Sequence, residues 1–215
     1  MAVKLPNGGT FAIASAYGAA IPITTISNAN PAVVGSVAHG LLDGDIIEIT
    51  SGWSKLNNRI VQVANKTADT FELRSINTTN TVSYPASGGT GTVRKITTFV
   101  QLAQIMNTAT SGGEQQFATF QFLEDDEQSE IPTTKSPRRL VLTIGDDDSL
   151  PGYIEAAEAN EDRLQRAIRF ALPNGSFIYY NGFVSVNETP STTANEIMSV
   201  EMTLAMQGSA TRYNS

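Results

Sequence analysis

The sequence has no cysteine and only one histidine, and these two scarcities exclude several kinds of site. Without cysteine the chain can form neither disulfides nor zinc–thiolate sites, and it has no thiol nucleophile. With one histidine it cannot build zinc sites that use two or three imidazoles. Charge is also scarce, since 16% of the 215 residues are Asp, Glu, Lys or Arg, against about 25% in typical globular proteins. Such a surface is expected to be covered by other protein or to be rich in Ser, Thr and Asn.

The sequence also lacks long apolar runs and basic clusters. No stretch approaches the roughly 20 apolar residues of a membrane-spanning helix, so no membrane partner is expected. The net charge of −7 is unevenly distributed: residues 98–215 carry seven Lys/Arg and sixteen Asp/Glu. Binding to nucleic acid phosphates requires clustered basic side chains. The acidic second part of the chain is therefore expected to repel DNA or RNA rather than bind it.

The single histidine, His39, lies in a glycine-rich segment and is followed by Asp43 and Asp45. One interpretation is a catalytic or metal site. A hydrolytic triad also needs a positioned nucleophile, and the G-x-S-x-G pattern of a nucleophile elbow is absent. The alternative is a tight turn between two strands, in which Gly40, Gly44 and an aspartate side chain satisfy the backbone. We favour the turn, and we expect no catalytic residue here.

The acidic run Asp146-Asp147-Asp148 is the second candidate for chemistry. A calcium-binding helix–loop–helix requires glycine at the sixth loop position and glutamate at the twelfth. This chain has Pro151 and Ala157 at those positions, so the pattern fails. The acids precede a predicted helix, whose positive end they stabilise. Neither a phosphate loop nor a dinucleotide fingerprint occurs. We therefore expect no metal and no cofactor.

The first half of the chain is organised as short β-type runs separated by turn residues. These runs occupy residues 46–50, 59–63 and 70–74. Strands at this spacing with Gly, Asn and Ser between them predict a small all-β unit. The glycine-rich segment PASGGTGTVRKI closes that unit with a turn and one last strand.

The second half combines further strands with one main helix. Residues 149–164 begin with a serine cap and a proline, followed by a run of Glu and Ala, so they predict a helix. Residues 97–110 also place apolar side chains at helical spacing, but this run is short and flanked by Thr. A Pro-Asn-Gly turn at 173–175 joins two β-type runs into a hairpin. Residues 197–206 alternate apolar and polar side chains, which predicts a half-buried strand.

The segment around His39 resembles a known module. The stretches ITTISNANPAVVGSVAHGLLDGDIIEITSG, LNNRIVQVANKTADTFEL and SGGTGTV are similar to the small β-barrel insert of many tailed-bacteriophage virion proteins. That insert is similar to the first catalytic-cysteine half-domain of ubiquitin-activating enzymes. The resemblance is carried by His39-Gly40-Leu41, Gly44-Asp45, Leu56-Asn57-Asn58, Thr70-Phe71 and Gly88-Gly89. It implies that the insert turn, with His39, Gly40, Gly44 and Asp45, has an architectural role only.

The remaining chain resembles the major tail-tube protein of bacteriophages with long non-contractile tails. This resemblance rests on element order: strand, long polar loop, strand, helix, hairpin and a final strand ending in VEMTLAMQGSATRY. It implies a mainly β fold, namely a tail-tube β-sandwich with one flanking α-helix. The tail-tube domain would comprise residues 1–22 and 96–215. The inserted small β-barrel would comprise residues 23–95 and project outward.

The same resemblance implies a structural virion protein that is not an enzyme. Copies of the chain would form hexameric rings, and the rings would stack around a channel that conducts DNA without binding it specifically. The expected partners are further copies of the chain, the tape-measure protein, and the tail-tip or terminator proteins. Assembly would take place in the host cytoplasm, and the mature location would be the phage tail.

Two groups of residues are expected to serve this assembly. The polar run 124–139 is long for a loop in a compact domain, and such loops usually have a function. Its acids come first and its bases last, so we expect it to connect stacked rings. Its charged residues are Glu124, Asp125, Asp126, Glu127, Lys135, Arg138 and Arg139. On the final strand, the polar residues Ser199, Glu201 and Thr203 are expected to face the channel.

Other functions stay open on the sequence alone. The same insert occurs in other phage structural proteins, so a tail terminator, a connector or a decoration protein is an alternative. A glycan-binding virion module is another, because Trp53 and Tyr84 offer aromatic rings for stacking on sugars. Such rings are more often anchors of a core or a turn. Stacking into open-ended tubes would distinguish a tube subunit from all of these.

Overall fold

The computed structural model describes residues 7–214, which contain fifteen strands and one helix. About half of the residues lie in strands, so the predicted mainly β fold is confirmed. The elements in chain order are β1 (Thr10–Tyr17), β2 (Ile21–Ile23), β3 (Thr25–Ile26), β4 (Ala32–Gly35), β5 (Ile46–Ser51), β6 (Arg59–Ala64), β7 (Thr70–Leu73), β8 (Gly91–Leu102), β9 (Ile105–Ser111), β10 (Gln115–Phe120), β11 (Ser129–Lys135), β12 (Arg139–Gly145), α1 (Pro151–Asp162), β13 (Gln165–Ala171), β14 (Phe177–Ser191) and β15 (Ser199–Tyr213).

Strands β2–β7 and the first part of β8 form what we call the small unit. The predicted strands at 46–50, 59–63 and 70–74 are present as β5, β6 and β7. The hydrogen-bonded order is β2-β8-β5-β6-β7-β4-β3, and only Thr24 separates β2 from β3 in sequence. The two ends of this strand order therefore meet, and the sheet curls around one core. That core contains Ile23, Ile26, Ala32, Val34, Leu41, Ile47, Ile49, Trp53, Leu56, Val61, Val63, Phe71, Leu73, Ile76, Tyr84 and Val93.

The remaining strands except β10 and β11 form the large unit. Its antiparallel order is β8-β1-β13-β14-β15-β12-β9, and α1 packs against β14, β8 and β1. The second core fills the space between the sheet and the helix, with Phe11, Ile13, Leu102, Leu140, Leu142, Ile144, Ala156, Ala159, Ile168, Val184, Val186, Val200, Met202 and Leu204. The predicted hairpin at 173–175 is confirmed, since it connects the paired strands β13 and β14.

Strand β8 belongs to both units. Its residues from Gly91 to Lys95 pair with β2 and β5, whereas those from Ile96 to Leu102 pair with β1. Val93 therefore lies in the first core, and Leu102 lies in the second. The predicted domain division at residues 22/23 and 95/96 stays a prediction. Residues 1–6 of the predicted tail-tube segment 1–22 lie outside the described residues.

Residues 97–110, whose apolar side chains are spaced as in a helix, form instead the end of β8 and most of β9. Of these side chains, only Leu102 is fully buried, and Met106 is 54% exposed. The segment pairs with β1 on one side and with β12 on the other. Those ladders, together with β-branched Thr and Val side chains that suit a pleated surface, outweigh a weak 3.6-residue pattern.

The main helix is present as α1, but its predicted serine cap is wrong. Leu150 occupies the N-cap position, and no side chain caps the helix. The hydroxyl of Ser149 donates instead to the Asp147 carboxylate at 2.5 Å. Pro151 then begins the helix, where its missing N–H costs no hydrogen bond.

The face of α1 that meets the sheet is built from small residues, Gly152, Ala156 and Ala159. At Gly152, a Cβ atom would lie 2.4 Å from the carbonyl oxygen of Gln101 in β8. The helix can therefore approach the sheet closely only because this position carries no side chain. Ile154 of the same helix points away from the sheet and is 46% exposed.

Candidate functional site

Strands β10 and β11 form a separate two-stranded sheet, which we call the arm (residues 114–136). The arm runs from a root, where the Ser136 amide donates to the Glu114 carbonyl at 2.9 Å, to a turn at residues 121–128. The prediction that 124–139 is one long loop is therefore wrong. Its first part is the turn, its middle is β11, and Arg139 begins β12.

The arm exposes large apolar side chains in spite of its polar composition. Phe117 is 55% exposed, Ile131 53%, Phe122 59%, and Leu123 is fully exposed. A two-stranded hairpin without a core is marginally stable in water. Exposed apolar side chains in one place mark contact surfaces in soluble proteins. The arm is therefore a candidate contact surface for another molecule.

The structure places the seven charged residues of the predicted interface loop at opposite ends of the arm. The acids lie on the turn at the tip and are exposed: Glu124, Asp125, Asp126 and Glu127. The bases lie at or just beyond the root: Lys135, Arg138 and Arg139. The guanidinium of Arg138 donates to the Gly208 carbonyl of β15, so the root is fastened to the large unit. The arm thus has an acidic tip and a basic root.

A second candidate surface is the outer side of strands β9, β12, β15 and β14, which we call the polar face. The predicted channel residues Ser199, Glu201 and Thr203 all lie on it, opposite the buried Val200 and Met202. Three rows of side chains cross it: Asn107–Thr143–Glu201–Asn187, Ala109–Val141–Thr203–Ser185 and Ser111–Arg139–Ala205–Phe183. Small polar side chains dominate these rows. The alternation predicted for 197–206 is confirmed from Val200 onward.

The charge on the polar face is close to balanced. Glu201 is the one carboxylate in the three rows and Arg139 is the one guanidinium. The acids of residues 98–215 lie mostly on the arm tip, on the segment before α1 and on α1 itself. The acidity read from the sequence is therefore not concentrated on the polar face.

The insert turn is an architectural element. The His39 ring is buried and meets the Phe71 ring edge-on at a centroid distance of 5.0 Å. Its Nδ1 accepts from the Leu41 amide at 3.0 Å, which leaves Nε2 to donate to the Thr70 carbonyl at 3.3 Å. Gly40 has φ +65° and Gly44 has φ +92°, values that favour glycine.

Asp45 completes the insert turn from the other side. Its carboxylate accepts from the Leu42 amide at 2.9 Å and from the Lys95 ammonium at 2.7 Å. Both ring nitrogens of the histidine and this carboxylate are thus engaged in holding the backbone. Within residues 7–214, no group of three or more His, Asp or Glu side chains is placed to hold a metal ion.

The aromatic pair Trp53 and Tyr84 forms a core anchor and not an exposed sugar platform. The two rings are 2% and 8% exposed and meet edge-on at 5.2 Å. The indole Nε1 donates to the Pro85 carbonyl at 2.8 Å.

The one helix in the described part of the chain is not long and apolar enough to span a bilayer.

Sequence reasoning missed the polar contact between the two units. Glu48 is 4% exposed, and its carboxylate accepts from Arg94 Nε at 2.5 Å and from Asn181 Nδ2 at 2.8 Å. Ile47 and Ile49 of β5 face the core of the small unit, so the Glu48 side chain lies on the other face of the strand. The large unit covers the other face of the strand. No local pattern in the sequence signals such coverage.

Two tyrosines lie near the same junction: Tyr17 is half-buried, with the Arg94 guanidinium 4.1 Å from its ring centre, and Tyr213 is buried. The Tyr17 hydroxyl accepts from the Ala167 amide at 2.9 Å, and the Tyr213 hydroxyl accepts from the Gln62 amide at 2.8 Å. Burial raises the pKa of Tyr17 to about 12 and that of Tyr213 to about 12. The neutral phenols are therefore favoured strongly in the folded chain.

We expect the free energy of unfolding to fall between pH 10 and 12. In the unfolded chain a tyrosine loses its proton near pH 10, whereas these two keep theirs to about pH 12. Their stabilisation is complete below pH 10 and decreases as the pH rises, by about 2 kcal/mol for each tyrosine. Urea unfolding at pH 9 and pH 11.5 measures the loss. Tyr17→Phe and Tyr213→Phe should each reduce it, and an unchanged pH dependence in both variants would refute the assignment.

Comparison with known proteins identifies the family. Residues 51–215, which include the arm and the polar face, match the model of a family described as "Phage tail tube protein, TTP". Among solved structures, "Cryo-EM structure of the anti-feeding prophage cap (AFP tube terminating cap)" is similar at 21% identity, over 54% of this chain and 83% of that one, with a TM-score of 0.37. A likeness at that level carries no argument. Comparison with curated proteins gives no match.

The family match covers well over half of the chain and includes both candidate assembly surfaces. The family is structural, and its place is the tail of the virion. The chain therefore belongs to the phage tail tube protein family and is a structural protein of a bacteriophage tail.

Proposed function

We propose that the chain is the major tail-tube subunit, that six copies close into a ring, and that rings stack around a channel through which DNA passes. The observation that carries this proposal is the pair of open strand edges that flank the polar face. Among residues 7–214, β9 pairs on one side only, with β12. At the other end, residues 187–191 of β14 pair with β15 alone. Open edges invite pairing with another chain, and closure into a barrel removes them.

In the proposed ring, the edge of β9 meets the β14 edge of the next copy. Each copy contributes four strands, and the polar face lines the channel with Ser199, Glu201 and Thr203. Short hydroxyl and amide side chains present no cluster of cations to the phosphates of DNA, so the DNA slides without specific binding. No catalytic residue and no cofactor is assigned.

The proposed role of the arm is to contact the adjacent ring. Its exposed Phe117, Phe122, Leu123 and Ile131 have no cover within the described chain, and stacking would bury them. Its charged residues at the tip and root would lie in the same inter-ring contact. Further partners in this proposal are the tape-measure protein and the tail-tip or terminator proteins, and assembly takes place in the host cytoplasm.

The small unit is proposed to be the inserted β-barrel, residues 23–95, carried by a tail-tube domain of residues 1–22 and 96–215. Its curled strand order around one core supports the resemblance to the insert of phage virion proteins. In the proposed tube it projects outward, away from the channel.

Electron microscopy of the purified protein tests the proposal directly. We expect six-fold rings at low concentration and open-ended tubes at high concentration. Single rings that never stack would favour a terminator or a connector. A protein that is monomeric at every concentration, and that immunogold labelling does not find along the tail, would refute the proposal.

A further inference from the structure

A basic pocket lies beside the root of the arm, where three distant parts of the chain meet. Its volume is about 410 Å³. The walls come from Ser54–Lys55 of the small unit, from residues 135–138 at the root, and from Gly208–Ser209 of β15. Lys55, Lys135 and Arg138 line it, and no lining residue is acidic. The pocket therefore presents three cations without a carboxylate.

The pocket is held in shape by backbone geometry and hydrogen bonds. β15 bulges between its pairs with Asn181 and Tyr179, and Gly208 lies in this bulge with φ +67°. A Cβ atom on Gly208 would be 3.1 Å from the carbonyl oxygens of two residues of the small unit, Asn57 and Asn58. Close approach at the bulge thus fixes the small unit beside the root of the arm.

The cations of the pocket keep most of their binding capacity. Lys55 Nζ donates to Ser83 Oγ at 2.7 Å, and Arg138 donates to the Gly208 carbonyl. An ammonium has three donors and a guanidinium has five. Across residues 7–214, the ion pairs involve Arg94, Lys95 and Arg166 but none of the pocket cations. Their charges are therefore available to an anionic partner.

The arm tip of the same chain has the complementary chemistry. Five exposed acids lie on or next to it: Glu124, Asp125, Asp126, Glu127 and Glu130. The arm's ladder runs from the Gln115–Lys135 pair to the Phe120–Ser129 pair, which corresponds to about 20 Å of strand. A tip held this far from its own root meets the basic pocket only on another copy.

We propose that the basic pocket receives the acidic arm tip of a second copy of this chain, one ring along the tube. This inference rests on the proposed stacking of rings and names the receptor of the arm. Each copy offers one tip and one pocket, so the contact is heterologous and continues without closing, as an open-ended polymer requires. Lys55 makes the small unit part of that contact. Weak exposed ion pairs accumulate because every copy in the ring contributes one.

Charge reversal tests the pairing. Lys55→Glu should leave rings intact and raise the protein concentration required for tubes by roughly tenfold or more, since every contact in the ring is altered at once. Lys66→Glu is the matched control, with the same charge change on an exposed lysine elsewhere in the small unit, and it should stack normally. Asp126→Lys should weaken stacking as Lys55→Glu does, and the double variant should recover part of the loss. Normal tubes from Lys55→Glu, with rings still forming, would overturn the inference and leave the proposed function intact.

Cross-linking gives a second, independent test because the chain has no cysteine. A chain with Lys55→Cys and Asp126→Cys should give, on oxidation of assembled tubes, a ladder of linked copies on a non-reducing gel. Each single variant should stop at dimers, since a ladder needs one tip and one pocket per copy. Tubes that form without a ladder would overturn the tip-in-pocket contact. Failure of the native chain to form rings would refute the proposed function itself.

Discussion

A chain in which residues 115–135 are replaced by an Asn-Gly turn is expected to fold and to form rings, but not to stack them. The flanking residues Glu114 and Ser136 are already hydrogen-bonded neighbours, so a two-residue turn can connect them. The deleted residues bury no core, because every large apolar side chain among them is exposed or at the surface. Sedimentation velocity and electron microscopy measure the outcome: rings should persist and tubes should be absent.

The control for this deletion is its thermal unfolding, which should match that of the native chain within a few degrees. A large loss of thermal stability would show that the arm supports the fold of its own chain. Tubes of normal length from the shortened chain would show that ring contacts lie elsewhere, and the role assigned to the arm would be wrong.

Phe71→Ala is expected to lower the free energy of unfolding by about 3–5 kcal/mol, as large-to-small changes in well-packed cores do. The Phe71 side chain is fully buried in the small unit and supports the His39 ring. Trp53, the single tryptophan, reports the small unit by fluorescence, and far-UV circular dichroism reports the whole chain. Urea titrations followed by both signals give the free energies.

Because β8 contributes to both cores, the fluorescence and circular dichroism transitions should occur at the same urea concentration, both in the native chain and in Phe71→Ala. Phe122, an exposed residue of the arm, provides the matched control, since Phe122→Ala is the same truncation at a position exposed to solvent. This variant should change the free energy of unfolding by less than about 0.5 kcal/mol. A Phe71→Ala variant in which the fluorescence transition shifts alone would show that the small unit unfolds independently.

Elements with one face on a core were predictable from the sequence. The alternation in β15 and the Pro-Asn-Gly turn between β13 and β14 carry local signals with a direct physical cause. The alternation in β15 arises because only one face of the strand is buried. The Pro-Asn-Gly sequence occurs because a tight turn needs these residue types. The tail tube family was also indicated by the order of the elements.

The arm was not predictable as a hairpin because its strands bury nothing within the chain. Alternation arises when one face of a strand meets a core, and β11 has two exposed faces. Its charges and Pro132 therefore suggested a loop. The burial of Glu48 had no signal in the sequence either, because its partner Asn181 lies in the second unit, far away along the chain.

The continuity of β8 has a consequence for how the tail surface would look in averaged images. An appendage on a flexible linker is blurred by averaging, because each copy points in a different direction. Here one unbroken strand, the Asn181–Glu48 hydrogen bond and the Tyr213 contact hold the small unit at a fixed angle to the rest of the chain. In a symmetric tube every copy would therefore appear at the same azimuth and with the same sharpness as the wall. The outside of the tail would be a regular lattice of these units, and any receptor or surface they meet would encounter them as an ordered array.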